Sequence, residues 1–338
     1  MNRKVNIAVI GTGRMGSVHV ANLVRHIPQA NLAAICDIRL EVAQALAQDL
    51  GISRVEQNYH ELLADPSIEA VLIATSTNTH ARIIQDAATA GKHIFCEKPL
   101  ALELEDVDQA LAAVENAHVK LQVGFNRRFD KSFQKVHEIV ESGQIGNPCI
   151  LRITNRDPEL PAMEFLRVSG GMFLDMSIHD FDMARFQVGE VEEVYAIGNV
   201  LIEPGLNDFG DLDTTIITLK FANGAIGAID NSRQAVYGYD QRLEVFCTEG
   251  TAQADNETET TIRKGNRDGF LAAKLPYFFM QRYAPCYIEE VRTFIECVRD
   301  DRPTPVTGRD GRMAVVIGHA AWKSFHEQRP VKITEFDV

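Results

Sequence analysis

The sequence predicts an α/β protein in two parts, a doubly wound parallel sheet over residues 1–125 followed by an α+β domain on a mainly antiparallel open sheet over 126–338. Two observations carry the first part. Continuous apolar runs such as AVLIAT alternate with helical patterns, and strands buried on both faces read as such runs. A glycine cluster stands between the first run and the first helical pattern, where a parallel α/β unit makes its tight turn. The third observation concerns the second part. Past Gly124 the rhythm changes, and TTIITLKFANGAIGAIDNSR alternates apolar and polar residues around the hairpin signal Asn223-Gly224.

In order, VNIAVIG is the first strand, followed by a helix to about His26; NLAAICD is the second, with a helix from Glu41; a short segment near Val55 is the third. IEAVLIAT, HIFCEKP and VKLQVGF supply the fourth to sixth, with helices between. The second part begins with a helix over Lys131 to Ser142 and a strand over Cys149 to Thr154. An apolar segment, GGMFLDMSIHDFD at 170–182, and the alternating strands follow. Helices near Tyr287 to Arg299 and Asp310 to His326 close the chain, separated by the turn-rich DDRPTPVTG.

A chain of 338 residues can bury two cores, and 45% hydrophobic with 24% charged residues is globular rather than disordered composition. The net charge, 34 − 47 = −13, repels phosphate backbones and anionic lipid, so no nucleic-acid or membrane partner is expected. No 18-residue apolar run occurs, and the first strand starts after four residues without a signal-peptide pattern, so cytoplasmic residence is the expectation. Six widely spaced cysteines without C-x-x-C read as reduced core thiols.

Gly11-Thr12-Gly13-Arg14-Met15-Gly16 has the G-x-G-x-x-G pattern of a Rossmann dinucleotide site, whose helix N-terminus offers free N–H groups to a pyrophosphate. The discriminating residue is an acid about twenty positions on, at the end of the second strand, and Asp37 stands there with Ile38 and Arg39 beside it. A carboxylate at that point accepts the ribose hydroxyls of NAD and repels a 2′-phosphate, so NAD is expected over NADP, with Arg39 weakening the preference.

HIFCEKPLA ends the fifth strand at the carboxyl edge where open α/β sheets bind ligands. Pro99 restricts Lys98 to an extended conformation that aims the ammonium at a fixed point, and a cis Lys98-Pro99 bond is consistent with this. The bland alternative is a surface lysine before a helix-starting proline. Asp175 and His179 are four apart, which on one helix puts them on a shared face. Three other readings stay open for them: a dipole-favouring acid, a satisfied core histidine, or metal ligation with Asp180 and Asp182. The last is the weakest, because no second histidine or cysteine stands at ligand spacing, and no metal is expected.

These three motifs in order resemble the Gfo/Idh/MocA family of NAD(P)-dependent sugar oxidoreductases over nearly the whole chain. GFNRRFD, GGMFLDMSIHDFDMARF and YGYDQRLEVFCTEG are most similar to its inositol dehydrogenases. The resemblance implies that Lys98, Asp175 and His179 form the catalytic group and that Thr75, Ser76, Thr77, His80 and Glu97 lie along the cofactor. It also implies substrate contacts from Arg127, Asn155 and Tyr239, together with Tyr237 and Tyr283, and a homotetramer packed through the sheet of the second domain.

The chemistry that uses all of these is oxidation of a secondary alcohol. His179, with an unperturbed pKa of about 6.5, suits the general base; Asp175 stabilises its imidazolium; Lys98 holds the hydroxyl and the developing alkoxide. A cyclic polyol such as an inositol and a pyranose sugar present nearly the same ring of hydroxyls, and both fit. NAD-dependent glycoside hydrolysis is a further alternative. A non-catalytic NAD sensor is disfavoured, because Lys98 and His179 are both present. The bland reading of Arg127 and Arg128 is a solvated face, and of the YGYD tyrosines a turn with core rings.

Overall fold

The computed structural model describes residues 3–336, which form two compact units. The first runs to Phe129 and takes up the chain again over Pro285–Val315; the second holds Asp130–Ala284 and the residues from Val316 on. The return of Pro285–Val315 departs from the sequence reading, which gave all of 126–338 to the second domain. The reason lies on one face of the helix Ala284–Arg299: Val291, Phe294, Ile295 and Val298 complete an apolar core with Ile7, Val9, Leu72 and Phe95 of the parallel sheet. Helical periodicity shows that such a face exists but not which sheet it covers.

The first unit comprises β1 (Val5–Ile10), α1 (Arg14–His26), β2 (Ala30–Cys36), α2 (Leu40–Leu50), β3 (Val55–Glu56), α3 (His60–Leu63), β4 (Ala70–Ile73), α4 (Thr77–Thr89), β5 (His93–Glu97), α5 (Leu104–Ala117) and β6 (Leu121–Gly124). Its strands lie in the order β3-β2-β1-β4-β5-β6, all parallel. Strand order reverses between β1 and β4, which opens a crevice at their carboxyl ends. All four residues of β4 are buried, as its unbroken apolar run requires.

The second unit begins with α6 (Lys131–Glu141), capped by the Asp130 carboxylate on the Ser132 and Phe133 N–H groups. It continues with β7 (Pro148–Arg156), α7 (Met163–Leu166), one π-helical turn (Met172–Met176), α8 (Ile178–Val188), β8 (Val191–Asn199), β9 (Thr214–Phe221) and β10 (Ile226–Ser232). After β11 (Asp240–Cys247), β12 (Gly250–Ala254), the small hairpin β13 (Arg263–Asn266) and β14 (Gly269–Ala272), and α9 (Phe279–Arg282), the chain enters α10 (Ala284–Arg299), α11 (Gly308–Glu327) and β15 (Val331–Lys332). The large sheet has the order β12-β11-β7-β10-β9-β8-β15, antiparallel except for the parallel pair β7/β10.

Alternation sorts its side chains. Leu151, Ile153, Ile229, Leu243 and Val245 turn into the core, while Ile197, Ile216, Ile226 and Phe246 are exposed. All six cysteines are free, five of them buried and Cys149 half-buried. No helix among the described residues is long and apolar enough to cross a membrane.

Candidate active site

The first group of candidate residues belongs to the first unit, at the carboxyl ends of β1, β2, β4 and β5. Gly11 has φ +93°, and a Cβ there would lie 2.6 Å from the Ala74 carbonyl oxygen; a Cβ on Gly16 would run into the Gly11 carbonyl. The loop therefore closes against β4 and α1 only with glycine at both positions. A Cβ on Gly13 would meet nothing within 4 Å, which leaves space in front of the helix N-terminus for a phosphate group.

Asp37 closes this loop from the end of β2. Its Oδ2 accepts from the Thr12 N–H at 2.8 Å and the Thr12 hydroxyl at 2.9 Å, and its Oδ1 accepts from the Arg39 N–H at 2.9 Å. Burial alone pushes this carboxyl up; the N–H groups of Thr12 and Arg39, the Thr12 hydroxyl and the Arg39 charge outweigh it and hold the group below its ordinary value. A fixed carboxylate results, with exposed Ile38 and Arg39 beyond it. Space at Gly13 and an ionised acid at the strand end fit NAD.

The Lys98-Pro99 peptide bond is cis and Lys98 is half-buried. His80 braces this turn from below: its Nδ1 lies 2.8 Å from the Pro99 carbonyl oxygen and its Nε2 3.2 Å from that of Thr75. Burial lowers the His80 pKa against the pull of these two carbonyls, and the neutral ring, with one N–H, donates to only one of them. Glu97 points toward α1, where its Oε1 stands 2.6 Å from His19 Nε2. Thr75 and Thr77 are half-buried, and Ser76 is exposed.

A second group of candidate residues belongs to the second unit. Asp175 and His179, set on one helix in the sequence reading, lie instead in a π turn followed by α8: the Ser177 N–H donates to the Met172 carbonyl at 2.9 Å, five residues back. Asp175 sits in the π turn and His179 in the first turn of α8, so the simple spacing of an α-helix does not set their geometry. Wider π turns of this kind recur at functional sites. Met172, Phe173, Leu174, Met176, Ile178 and Phe181 are buried, while Asp175 and His179 are half-buried.

The turn is held from behind. Asp211 Oδ1 accepts from the Met172 N–H at 2.7 Å, and the fully buried Arg233 places its guanidinium 3.4 Å from Asp211 and 3.5 Å from Asp175. Gly171 admits this contact, since a Cβ there would sit 2.7 Å from Asp211 Oδ1 and 2.8 Å from Trp322. The Arg233 guanidinium thus stands behind the Asp175 carboxyl, on the turn that leads into α8.

Beneath α8 lies a ladder of buried amides. Asn155 of β7 pairs in register with Asn231 of β10 on one side and Gln241 of β11 on the other. Both asparagines donate to Asp180 Oδ2, at 2.7 and 2.8 Å, and the Ser177 hydroxyl donates to Asn231 Oδ1 at 2.6 Å. The Gln241 amide donates to Asn155 Oδ1 at 2.6 Å, and the Tyr283 hydroxyl to Gln241 Oε1 at 3.2 Å. Asp180, offered in one reading of the sequence as a metal ligand, is occupied with amides instead.

Of the residues expected around a substrate, the structure gathers Asn155 and Tyr283 into this ladder, with the buried Tyr239 ring edge-on to Tyr283 at 5.9 Å. Tyr237 stands apart and exposed, donating to Asp240 at 2.6 Å and accepting from Arg156 at 3.1 Å. Arg127 is buried and Arg128 pairs with Asp310 at 2.9 Å, so neither forms a solvated face. Asp211, Arg233, Asn231 and Gln241 escaped the sequence reading. Asn231 and Arg233 fall in the inward phase of the alternation Gly227, Ile229, Asn231, Arg233, and a polar residue at an inward position is the signal that marks them.

Comparison with known proteins follows the same division. Residues 5–125 match the family model described as oxidoreductase family, NAD-binding Rossmann fold, and residues 133–253 match that of the GFO/IDH/MocA C-terminal domain. The myo-inositol 2-dehydrogenase of Thermotoga maritima is 49% identical over 98% of this chain and 99% of its own length. The scyllo-inositol 2-dehydrogenase (NAD(+)) of Bacillus subtilis is 37% identical over 98% of this chain and 97% of its own. The crystal structure of scyllo-inositol dehydrogenase from Lactobacillus casei with bound cofactor NAD(H) and scyllo-inositol matches with a TM-score of 0.92 at 27% identity, covering 98% of this chain and 100% of that one.

Proposed function

The chain belongs to the Gfo/Idh/MocA family of oxidoreductases, and from that premise we propose that it oxidises a secondary hydroxyl of a cyclic polyol, an inositol giving a keto-inositol, with NAD. The observation that carries the reading is the π turn and first turn of α8, where Asp175 and His179 stay half-buried in an otherwise buried apolar segment and Arg233 backs Asp175. Relatives named for myo- and for scyllo-inositol support the substrate class.

NAD, when bound, supplies the hydride acceptor. His179 takes the hydroxyl proton as general base, and Asp175 stabilises the imidazolium that forms. Lys98 holds the same hydroxyl and stabilises alkoxide charge as it develops. Arg127, Asn155, Tyr237, Tyr239 and Tyr283 meet the remaining ring hydroxyls, with Asn155 and Tyr283 oriented by the ladder beneath α8. In this reading residues 1–125 bind the cofactor, and the second unit supplies substrate and oligomer contacts. A homotetramer packed through the large sheet would cover Ile197, Ile216, Ile226 and Phe246, and free cysteines suit the cytoplasm.

Initial rates of NADH formation with inositol isomers and pyranoses, each with NAD and with NADP, test the proposal. Net NADH with an inositol is the expected result. A higher kcat/KM with a pyranose would move the substrate class, and polyol turnover without net NADH would point to the glycosidase alternative.

A further inference from the structure

His19 of α1, Glu97 at the end of β5 and Glu290 of α10 meet inside the first unit, with ligand atoms all within 4.8 Å of one another. His19 and Glu290 are fully buried and Glu97 nearly so. His19 Nε2 stands 2.6 Å from Glu97 Oε1, whereas both carboxyl oxygens of Glu290 are buried without a hydrogen-bond partner.

An ionised carboxylate cannot stay in such a place. Taking a lone charge out of water costs so much that the group neutralises instead. Burial pushes the Glu290 carboxyl well up, and the neighbouring Glu97 charge pushes it further the same way. The titratable groups facing it are His19 from α1 and Glu97 from β5, with Tyr287 a turn back on its own helix and edge-on to His19. From β6 comes the Gln122 amide, which donates to the Glu290 main-chain oxygen rather than to its carboxyl.

We propose that His19, Glu97 and Glu290 form a buried proton-binding site in which Glu290 is held as the neutral acid at neutral pH. The cluster takes a proton rather than a divalent cation for a geometric reason. Two ligands about 2.1 Å from one ion at a right angle stand roughly 3 Å apart. The His19–Glu97 separation of 2.6 Å is shorter, and a proton lies between those atoms. The His19 ring donates from Nε2 to Glu97 Oε1, and the Glu290 proton keeps a further negative charge away from that contact. Three elements, α1, β5 and α10, are thereby clamped behind the turn that carries Lys98. The site stands whether or not the polyol reading does.

Two measurements on the intact protein test it. Infrared spectra of the wild type at about pH 7.5 should show the carbonyl stretch of a protonated carboxylic acid, absent after Glu290→Gln. Unfolding equilibria should differ in slope with pH. A carboxyl whose folded-state value is raised gives stability that is complete below the unfolded value, about 4.3, and falls as pH rises toward the folded one. Between about pH 5.5 and 7.5, the wild-type folding constant should therefore fall relative to that of the glutamine variant by up to tenfold per pH unit. Parallel stability curves, or a wild-type spectrum with no protonated-acid band, would overturn the proposal. So would a stoichiometric divalent metal in the purified protein that Glu290→Gln removes. Should the variant fail to fold, the wild-type spectrum alone decides.

Discussion

Asp180 in the second unit and Glu290 in the first are equally shut off from solvent, yet they are accommodated in opposite ways. The Asp180 carboxylate accepts two side-chain amides on one oxygen, at 2.7 and 2.8 Å, while neither oxygen of Glu290 has a partner and its nearest charge is another carboxylate. A buried acid stays ionised where donors converge on it and takes up a proton where none do. The difference follows the surroundings. The large sheet turns Asn155 and Asn231 inward on neighbouring strands beneath α8, whereas α10 lays Glu290 against an apolar core and the end of β5. The second unit thus has an acid held by amide donors beside His179, and the first, on the proposal above, a proton behind Lys98.

The largest effect expected separates His179 from its buried neighbour. His179→Ala should lose roughly two to four orders of magnitude in kcat for polyol oxidation at saturating NAD, as loss of a general base does. Its unfolding midpoint should stay near that of the wild type. Asp180→Ala should do the reverse in stability: the amides of Asn155 and Asn231 lose their acceptor in the core, at about 1–3 kcal/mol for each group left unsatisfied. Chemical denaturation of both variants reads the contrast. A fully active His179→Ala, or an Asp180→Ala as stable as the wild type, would break it.

A smaller effect is expected at Asp175. Asp175→Asn keeps the side-chain size but removes the charge that favours an imidazolium at His179, so the acid limb of the kcat profile should move to lower pH, by about half to one unit. Arg233 would then face a neutral amide at 3.5 Å, with its contact to Asp211 kept. A limb that moves upward would show that Asp175 does not act on the base.

The two units were unequally legible in the sequence. The parallel sheet announces itself, since each strand is an apolar run and the Gly11 to Gly16 loop and Asp37 stand at spacings that follow from one turn, one helix and one strand. In the second unit the helix at Lys131 and the Asn223-Gly224 hairpin were equally readable, because caps and turns are local. The amide ladder was readable only in part. Asn231 and Gln241 occupy inward positions of alternating strands, but their meeting at Asn155 depends on the strand order β11-β7-β10, which no local pattern states. His19 and Glu290 lie far apart in the chain. Their meeting waits on α10 returning to the first unit, and the apolar face of that helix would have suited either sheet.

The smallest effect sharpens the comparison with an acid of intermediate kind. Asp37 is nearly as buried as Asp180, but its donors are main-chain N–H groups and a hydroxyl of the glycine loop it closes. Its folded-state value lies below the ordinary carboxyl range, so the stability it contributes is present above that range and is lost as pH falls through the lowered value. Asp37→Asn removes the charge while keeping the shape, and it should lower stability by about 1 kcal/mol at neutral pH, the net scale of one ordinary hydrogen bond. The gap between variant and wild type should then narrow as pH falls below the ordinary carboxyl range and through the lowered value, because the wild-type carboxyl becomes neutral there. Glu290 runs the opposite way, its contribution falling as pH rises. Thermal unfolding of wild type, Asp37→Asn and Glu290→Gln across the same pH series would show the two gaps changing in opposite directions. A constant Asp37 gap would mean that the loop is held by shape and not by charge.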